Sequence, residues 1–142
     1  MRVVRHTILM LLLLVVVACG STGRSVEVHD VDSGAWHTVE EYNFNNEDSL
    51  SLRDISIVVR YNKGYVADSL PLSVLTISPD SLLFEECFTL HIPRLADMRP
   101  EEQTFLYRRN VKLQRRGAYT FRITPLTPTK GIASVGIVVS DK

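Results

Sequence analysis

The sequence predicts an all-β domain, an antiparallel β-sandwich of about eight strands, Ig-like or jelly-roll-like in arrangement. Three observations predict it. Apolar residues recur at every second position through most of the chain after residue 25. No stretch carries the 3.6-residue period of a helix. Clusters of Gly, Pro, Asn and Asp break the alternation at short intervals. Each short alternating strand has one apolar face, and two sheets packed face to face bury both.

The elements follow in order. Val26, Val28 and Val31 suggest a first short strand, interrupted by His29-Asp30, and Ser33-Gly34 is a turn signal. From Thr38 to Phe44, Tyr42 and Phe44 share a face, and Asn45 to Ser49 is a polar turn. Between Leu52 and Tyr61, the side chains of Ile55, Ile57, Val59 and Tyr61 point one way while Asp54, Ser56 and Arg60 point the other. Asn62-Lys63-Gly64 is a compact turn. Leu70, Leu72 and Val74 alternate, with Leu75 and Ile77 continuing beyond a slip or bulge. Ser78-Pro79-Asp80-Ser81 joins this strand to Leu82–Ile92, where Phe84, Phe88, Leu90 and Ile92 share a face that also turns Glu86 inward. Pro93 to Glu102 reads as a loop, with a helical turn able to start at Pro100. Phe105, Tyr107, Val111 and Leu113 form another strand, and Arg116-Gly117 turns the chain. Tyr119, Phe121 and Ile123 are the clearest inward set. Pro125 to Gly131 turns again, and Val135, Ile137 and Val139 close the domain. Gly117-Ala118-Tyr119 has the Gly-x-Tyr form of a tyrosine corner, in which a phenol bonds back to nearby backbone. An inward Tyr on an ordinary strand is the alternative.

The N-terminus has the parts of an export signal. Arg2 and Arg5 precede an unbroken apolar run from Ile8 to Val17, followed by Ala18 and Cys19. Val16-Val17-Ala18-Cys19 is a bacterial lipobox: a small residue before the cut, then a cysteine whose sulfur receives diacylglycerol. The run is shorter than the roughly 20 residues a bilayer span requires. Residues 1–18 are therefore expected to be a lipoprotein signal peptide, 19–25 a lipid-anchored flexible tether of small polar residues, and 26–142 a single sandwich domain.

Removal of the signal leaves 14 basic and 16 acidic residues, a net charge of −2, which points away from nucleic acid as a partner. With Cys19 lipidated, Cys87 stands alone and no intrachain disulfide is possible, so the core itself must hold the fold. Cys87 follows Glu85 and Glu86, which oppose thiolate formation, and it reads as structural rather than reactive.

Charge is partitioned along the chain. Residues 19–93 carry 4 basic and 12 acidic groups, residues 94–142 carry 10 basic and 4 acidic groups. Six cations concentrate around the Arg116-Gly117 turn: Arg108, Arg109, Lys112, Arg115, Arg116 and Arg122. Two readings are open. The basic hairpin lies beside the acidic strands and the fields cancel, or it is a docking patch for an acidic partner or anionic headgroups.

Catalytic signatures are absent from the sequence: no Gly-x-Ser-x-Gly elbow, P-loop, His-Glu-x-x-His or Cys-x-x-Cys. No catalytic residue, metal site or cofactor is assigned. The nearest metal candidate, His29, Asp30, Asp32 and His37, reads better as a solvated turn. Glu40-Glu41 and Glu85-Glu86 alternate across strands, so neither is an acid–base couple by adjacency. Trp36, Tyr61 and Tyr65 are the aromatic rings that could stack on sugars if exposed.

Several blocks resemble the gliding-motility lipoprotein GldH family of Bacteroidetes bacteria. They are Ile57-Val58-Val59-Arg60-Tyr61-Asn62, Leu70-Pro71-Leu72 through Ser78-Pro79-Asp80, and Tyr107 through Val111. The last runs into Arg116-Gly117-Ala118-Tyr119-Thr120-Phe121 and then Gly131-Ile132-Ala133-Ser134-Val135-Gly136-Ile137. The resemblance spans roughly residues 37 to 139. The chain departs from it between Leu90 and Phe105, where Ile-Pro-Arg-Leu-Ala-Asp replaces a Gly-rich stretch with a Trp. The resemblance implies an envelope lipoprotein that serves surface motility without catalysis, in company with other envelope proteins, and it transfers only the lipidated Cys19. Gly20–Arg24 lack the acidic export signal of surface lipoproteins, so the periplasmic side of the outer membrane is expected. The alternative is a lipid-anchored ligand- or glycan-binding sandwich.

Overall fold

A computed structural model describes residues 23–92 and 101–142. The signal peptide, Cys19, the tether as far as Thr22 and the helical turn expected at Pro100 lie outside the described residues. Eight strands carry the fold: β1 (Arg24–Asp30), β2 (Glu40–Asn46), β3 (Leu52–Tyr61), β4 (Ser69–Ile77), β5 (Leu83–His91), β6 (Glu101–Lys112), β7 (Gly117–Pro125) and β8 (Ile132–Asp141). They form two antiparallel four-stranded sheets, β1-β8-β3-β6 and β2-β7-β4-β5.

The pairings β1–β8, β2–β7, β3–β6 and β4–β5 nest like one long hairpin whose tip is the Ser78–Leu82 turn. Rolling that hairpin adds β3–β8 and β4–β7 and closes two sheets over one core. This is jelly-roll connectivity and decides against the Ig-like option. Trp36, Tyr42, Tyr61, Phe121, Ile57 and Leu72 are among the largest fully buried side chains. Trp36 is held by a bridge to Thr129 and donates its indole N–H to the Thr38 carbonyl at 3.0 Å.

Four sequence expectations are corrected. β1 starts at Arg24, inside the expected tether, and runs unbroken through His29-Asp30, because its backbone pairs with β8 from Arg24↔Ser140 to Asp30↔Ser134. Val26 and Val28 point outward, 53% and 42% exposed, while Ser25, Glu27 and His29 face the other sheet. β4 has no slip: its register with β5 is continuous from Ser69↔His91 to Ile77↔Leu83, and Thr76 follows Val74 on the inner face. Irregularities lie instead along β3, between Arg60 and Tyr61 where it pairs with β8, and between Arg53 and Ile55 and between Ile55 and Ser56 where it pairs with β6. There Asn110 takes φ 54° and donates its N–H to Asp54 at 2.8 Å. Such bulges re-aim side chains, and Arg109 is exposed although Tyr107, Val111 and Leu113 on either side of it join the core. Finally, β6 begins at Glu101, paired with Tyr61, inside the expected loop.

Candidate functional site

Strand directions gather the connections at two ends of the sandwich. One end holds Gly23, the Glu47–Ser51 loop, the Ser78–Leu82 turn and the Leu113–Arg116 turn. Asp141 N–H donates to the Gly23 carbonyl and Lys142 N–H to the Leu52 carbonyl, which fastens β1 and β3 beside the end of β8. Buried Asn46 reaches from β2 to donate its side-chain amide to the carbonyls of Leu113 at 2.9 Å and Arg115 at 2.8 Å. The Arg115 N–H donates to the Tyr119 hydroxyl at 3.1 Å. The phenol thus bonds back to nearby backbone, as the tyrosine-corner reading expects.

The six expected cations divide. Arg108 bonds Glu86 of β5 and lies over the Tyr107 and Phe84 rings. Arg115 pairs with Asp80 at 3.0 Å and Arg122 with Glu41 at 2.7 Å. Each joins the basic half of the chain to the acidic half, as the intramolecular reading expects. The Ser78 hydroxyl, with help from Arg115, holds the Asp80 carboxyl below the usual carboxylate range. Arg109, Lys112 and Arg116 are exposed and have no acidic partner among the described residues. Inward Glu86, which the strand pattern required, accepts from Tyr107 and Arg108 and so joins the two sheets at the β5–β6 margin.

The opposite margin carries a cluster that the sequence did not point to. His29 Nε2 lies 3.1 Å from Glu27, its Nδ1 lies 3.4 Å from Glu40, and its ring stacks on Tyr42 with centroids 4.6 Å apart. Glu27 also accepts the Asn43 N–H at 2.8 Å, and Tyr42 donates its hydroxyl to the Val135 carbonyl at 2.7 Å. Burial, then the charges of Glu40 and Glu27, push the Tyr42 phenol well above its ordinary value. Apart from the His29–Glu27 contact within β1, these contacts run from β2 to β1 and β8 and act as a clasp between sheets. The signal that could have found it is Glu27 and His29 at period two on a strand whose valines occupy the other face.

The metal candidate of the first turn, His29, Asp30, Asp32 and His37, does not converge. His29 faces Glu40, Asp32 accepts the Gly34 N–H at 2.9 Å, and His37 contacts the Ala35 carbonyl at 2.7 Å. No group of three or more His, Cys, Asp or Glu among the described residues could hold a metal ion. The sugar-stacking rings are interior: Trp36 and Tyr61 are fully buried and Tyr65 is 6% exposed. The described residues form open clefts. One, of about 270 Å³, is lined by Arg24, Phe44, Asp48, Arg53 and Asp141. Another, of about 260 Å³, is lined by Tyr65, Leu70, Pro71, Pro128 and Lys130 at the far end. In the first cleft, buried Arg53 bonds Asp141 and lies 5.1 Å from the Phe44 ring centroid. Cys87 is a free thiol, exposed on β5.

No protein-family model and no curated protein sequence matches the chain. Among solved structures, the infectious bursal disease virus VP2 subviral particle aligns over 82% of this chain and 32% of that chain, at 12% identity and TM-score 0.43. A carbohydrate-binding module of the β-sandwich superfamily aligns over 84% and 56%, at 8% identity and TM-score 0.36. The Yersinia pseudotuberculosis-derived mitogen aligns over 82% and 84%, at 8% identity and TM-score 0.36. The chain spans about a third of the length of the viral chains it matches. None of these likenesses bears on what this chain binds or does.

Proposed function

We propose that the protein is a non-enzymatic, lipid-anchored component of a bacterial cell envelope, similar in role to GldH-type gliding-motility lipoproteins and acting through contacts with other envelope proteins. The lipobox ending at Cys19 supports the anchor. The observation that carries the contact reading is an apolar band on the outer face of a sheet. Val26 and Val28 of β1 and Leu106 of β6 are exposed on that face, and Val138 of β8 and Val58 of β3 lie buried between them, joined by the registers Val26↔Val138, Ser56↔Val138 and Ser56↔Leu106. The outer face of a two-layer sandwich is ordinarily polar, so a band of this kind suits a protein contact. The glycan-binding alternative has lost the three rings it relied on, because Trp36, Tyr61 and Tyr65 are core residues.

Two measurements test this. Cys19→Ala should abolish incorporation of labelled palmitate and membrane fractionation; a variant that still carries label and still sediments with membranes refutes the anchor. A photo-crosslinker at Val28 in living cells should give a discrete adduct with an envelope protein that a crosslinker at Val66 does not give. Absence of that adduct, with normal motility and envelope integrity in a deletion strain, refutes the contact reading.

A further inference from the structure

The end of the jelly roll at which Gly23 enters β1 combines two kinds of exposed side chain. It displays large apolar side chains: Leu50 is 75% exposed, Leu82 and Leu83 are each 68% exposed, and Phe84 beside them is 55% exposed. It also displays cations without acidic partners among the described residues: Arg24 at the start of β1, Lys112 at the end of β6 and Arg116 in the following turn. Acids at this end are mostly engaged within the protein. Asp80 bonds Arg115, Asp141 bonds Arg53, and Asp48 accepts from Ser51 and the Leu50 N–H, leaving Glu47 as the exception.

The opposite end also shows apolar side chains, at Val39, Val66 and Leu126. Charge does not separate the ends, because Arg60 pairs with Glu102 and Lys130 is exposed at the far end. The tether does: the four peptide links from Cys19 to Gly23 reach at most roughly 14 Å when fully extended. The ten-residue β8 separates the two ends by roughly 30 Å, so a lipid on Cys19 keeps the near end at the bilayer and holds the far end away.

We propose that this end, which displays both Arg24, Lys112 and Arg116 and Leu50, Leu82, Leu83 and Phe84, is a docking surface for a bilayer that carries anionic phospholipid headgroups. The inference rests on the lipid anchor proposed above. Cations meet the headgroup phosphates, and the leucines and Phe84 enter the boundary between headgroups and acyl chains. The two acyl chains of a diacylglyceryl group on Cys19 suffice for retention, so the protein surface sets the orientation of the domain on the membrane. The sandwich stands upright on the membrane, with the Val26–Leu106 band turned sideways toward partners.

The test uses the lipidated protein in a Cys87→Ser background, reconstituted into vesicles of phosphatidylethanolamine and phosphatidylglycerol. A fluorophore is placed on Leu83→Cys or on Val66→Cys; both sites are exposed, so neither change removes a core contact. Nitroxide-bearing lipids should quench the Leu83 probe and leave the Val66 probe bright. Lys112→Glu combined with Arg116→Glu should shift the docked population down by roughly fivefold per cation removed. Equal quenching at both probes, in protein that floats with the vesicles, overturns the docking surface while leaving the anchor intact. Protein that carries no lipid and does not float overturns the anchor, and the docking surface with it.

Discussion

Asn46 is a small polar residue in the place of a core residue. Its amide holds two carbonyls of the Leu113–Arg115 turn, which would otherwise lack a donor from the facing sheet. Removing one partner of a buried hydrogen bond leaves the other desolvated and unpaired, which costs about 1–3 kcal/mol. Asn46→Ala should lower the urea midpoint accordingly, with the slope of the transition unchanged; an unaltered midpoint would show that water replaces the amide.

Tyr42 and Tyr107 make a second residue-scale prediction. Burial is the first cause that raises both phenols; the charges of Glu40 and Glu27 add to it at Tyr42, and the Glu86 hydrogen bond adds to it at Tyr107. In the unfolded chain both titrate near the ordinary value of about 10. Below that value the two states hold the same protons. Above it the unfolded chain releases protons that the folded protein retains, so stability falls as pH rises through this range. Denaturant midpoints should therefore decline above pH ~10. Tyr42→Phe with Tyr107→Phe should start lower, having lost two hydrogen bonds, but should decline less steeply.

Strand pairing is the next scale. β1 lies on β8 so closely that a Cβ on Gly136 would stand 2.6 Å from the Glu27 carbonyl oxygen and 2.6 Å from Val28 Cγ2. Gly136→Ala must push β1 away, and overpacking of this kind costs about 1–3 kcal/mol. Hydrogen exchange should localise the effect, with β1 amides losing protection before those of β3. Uniform loss across both sheets would mean that β1 is not an independent margin. The His29 clasp acts on the same element, since it ties β1 to β2 across the opening between sheets. The solvent-exposed ion pairs of Arg122 and Arg115 are worth less, at about 0.2–1 kcal/mol each even in favourable cases.

For the whole molecule, nesting sets the folding cost. β1 pairs with β8, so residues near the two ends of the domain must meet before either is stabilised. Topologies dominated by such distant pairings fold in roughly milliseconds to seconds. Refolding on dilution from urea should fall in that window; a microsecond phase that recovers full native signal would contradict the nested order. The same roll gathers turns distant in sequence, from the Glu47–Ser51 loop to Lys142, at the end where Gly23 enters β1.

The sequence by itself determined the period-two strands, most of the turns, and the inward sets Ile55-Ile57-Val59-Tyr61 and Tyr119-Phe121-Ile123, because strand geometry forces alternate residues to opposite faces. The anchor proposed at Cys19 likewise rests on a local pattern, Val16-Val17-Ala18-Cys19, which needs no tertiary structure to be read. Which face of β1 is inward was not legible: its valines suggested one answer, and the match of Glu27 and His29 with Glu40 on another strand gave the opposite one. Nor could the six cations be sorted into paired and unpaired, because Glu86, Asp80 and Glu41 come from strands 22 to 81 residues away. The choice between Ig-like and jelly-roll order was likewise tertiary. Alternation specifies which side chains a strand buries, but the neighbour a strand pairs with depends on how the whole chain closes over its core.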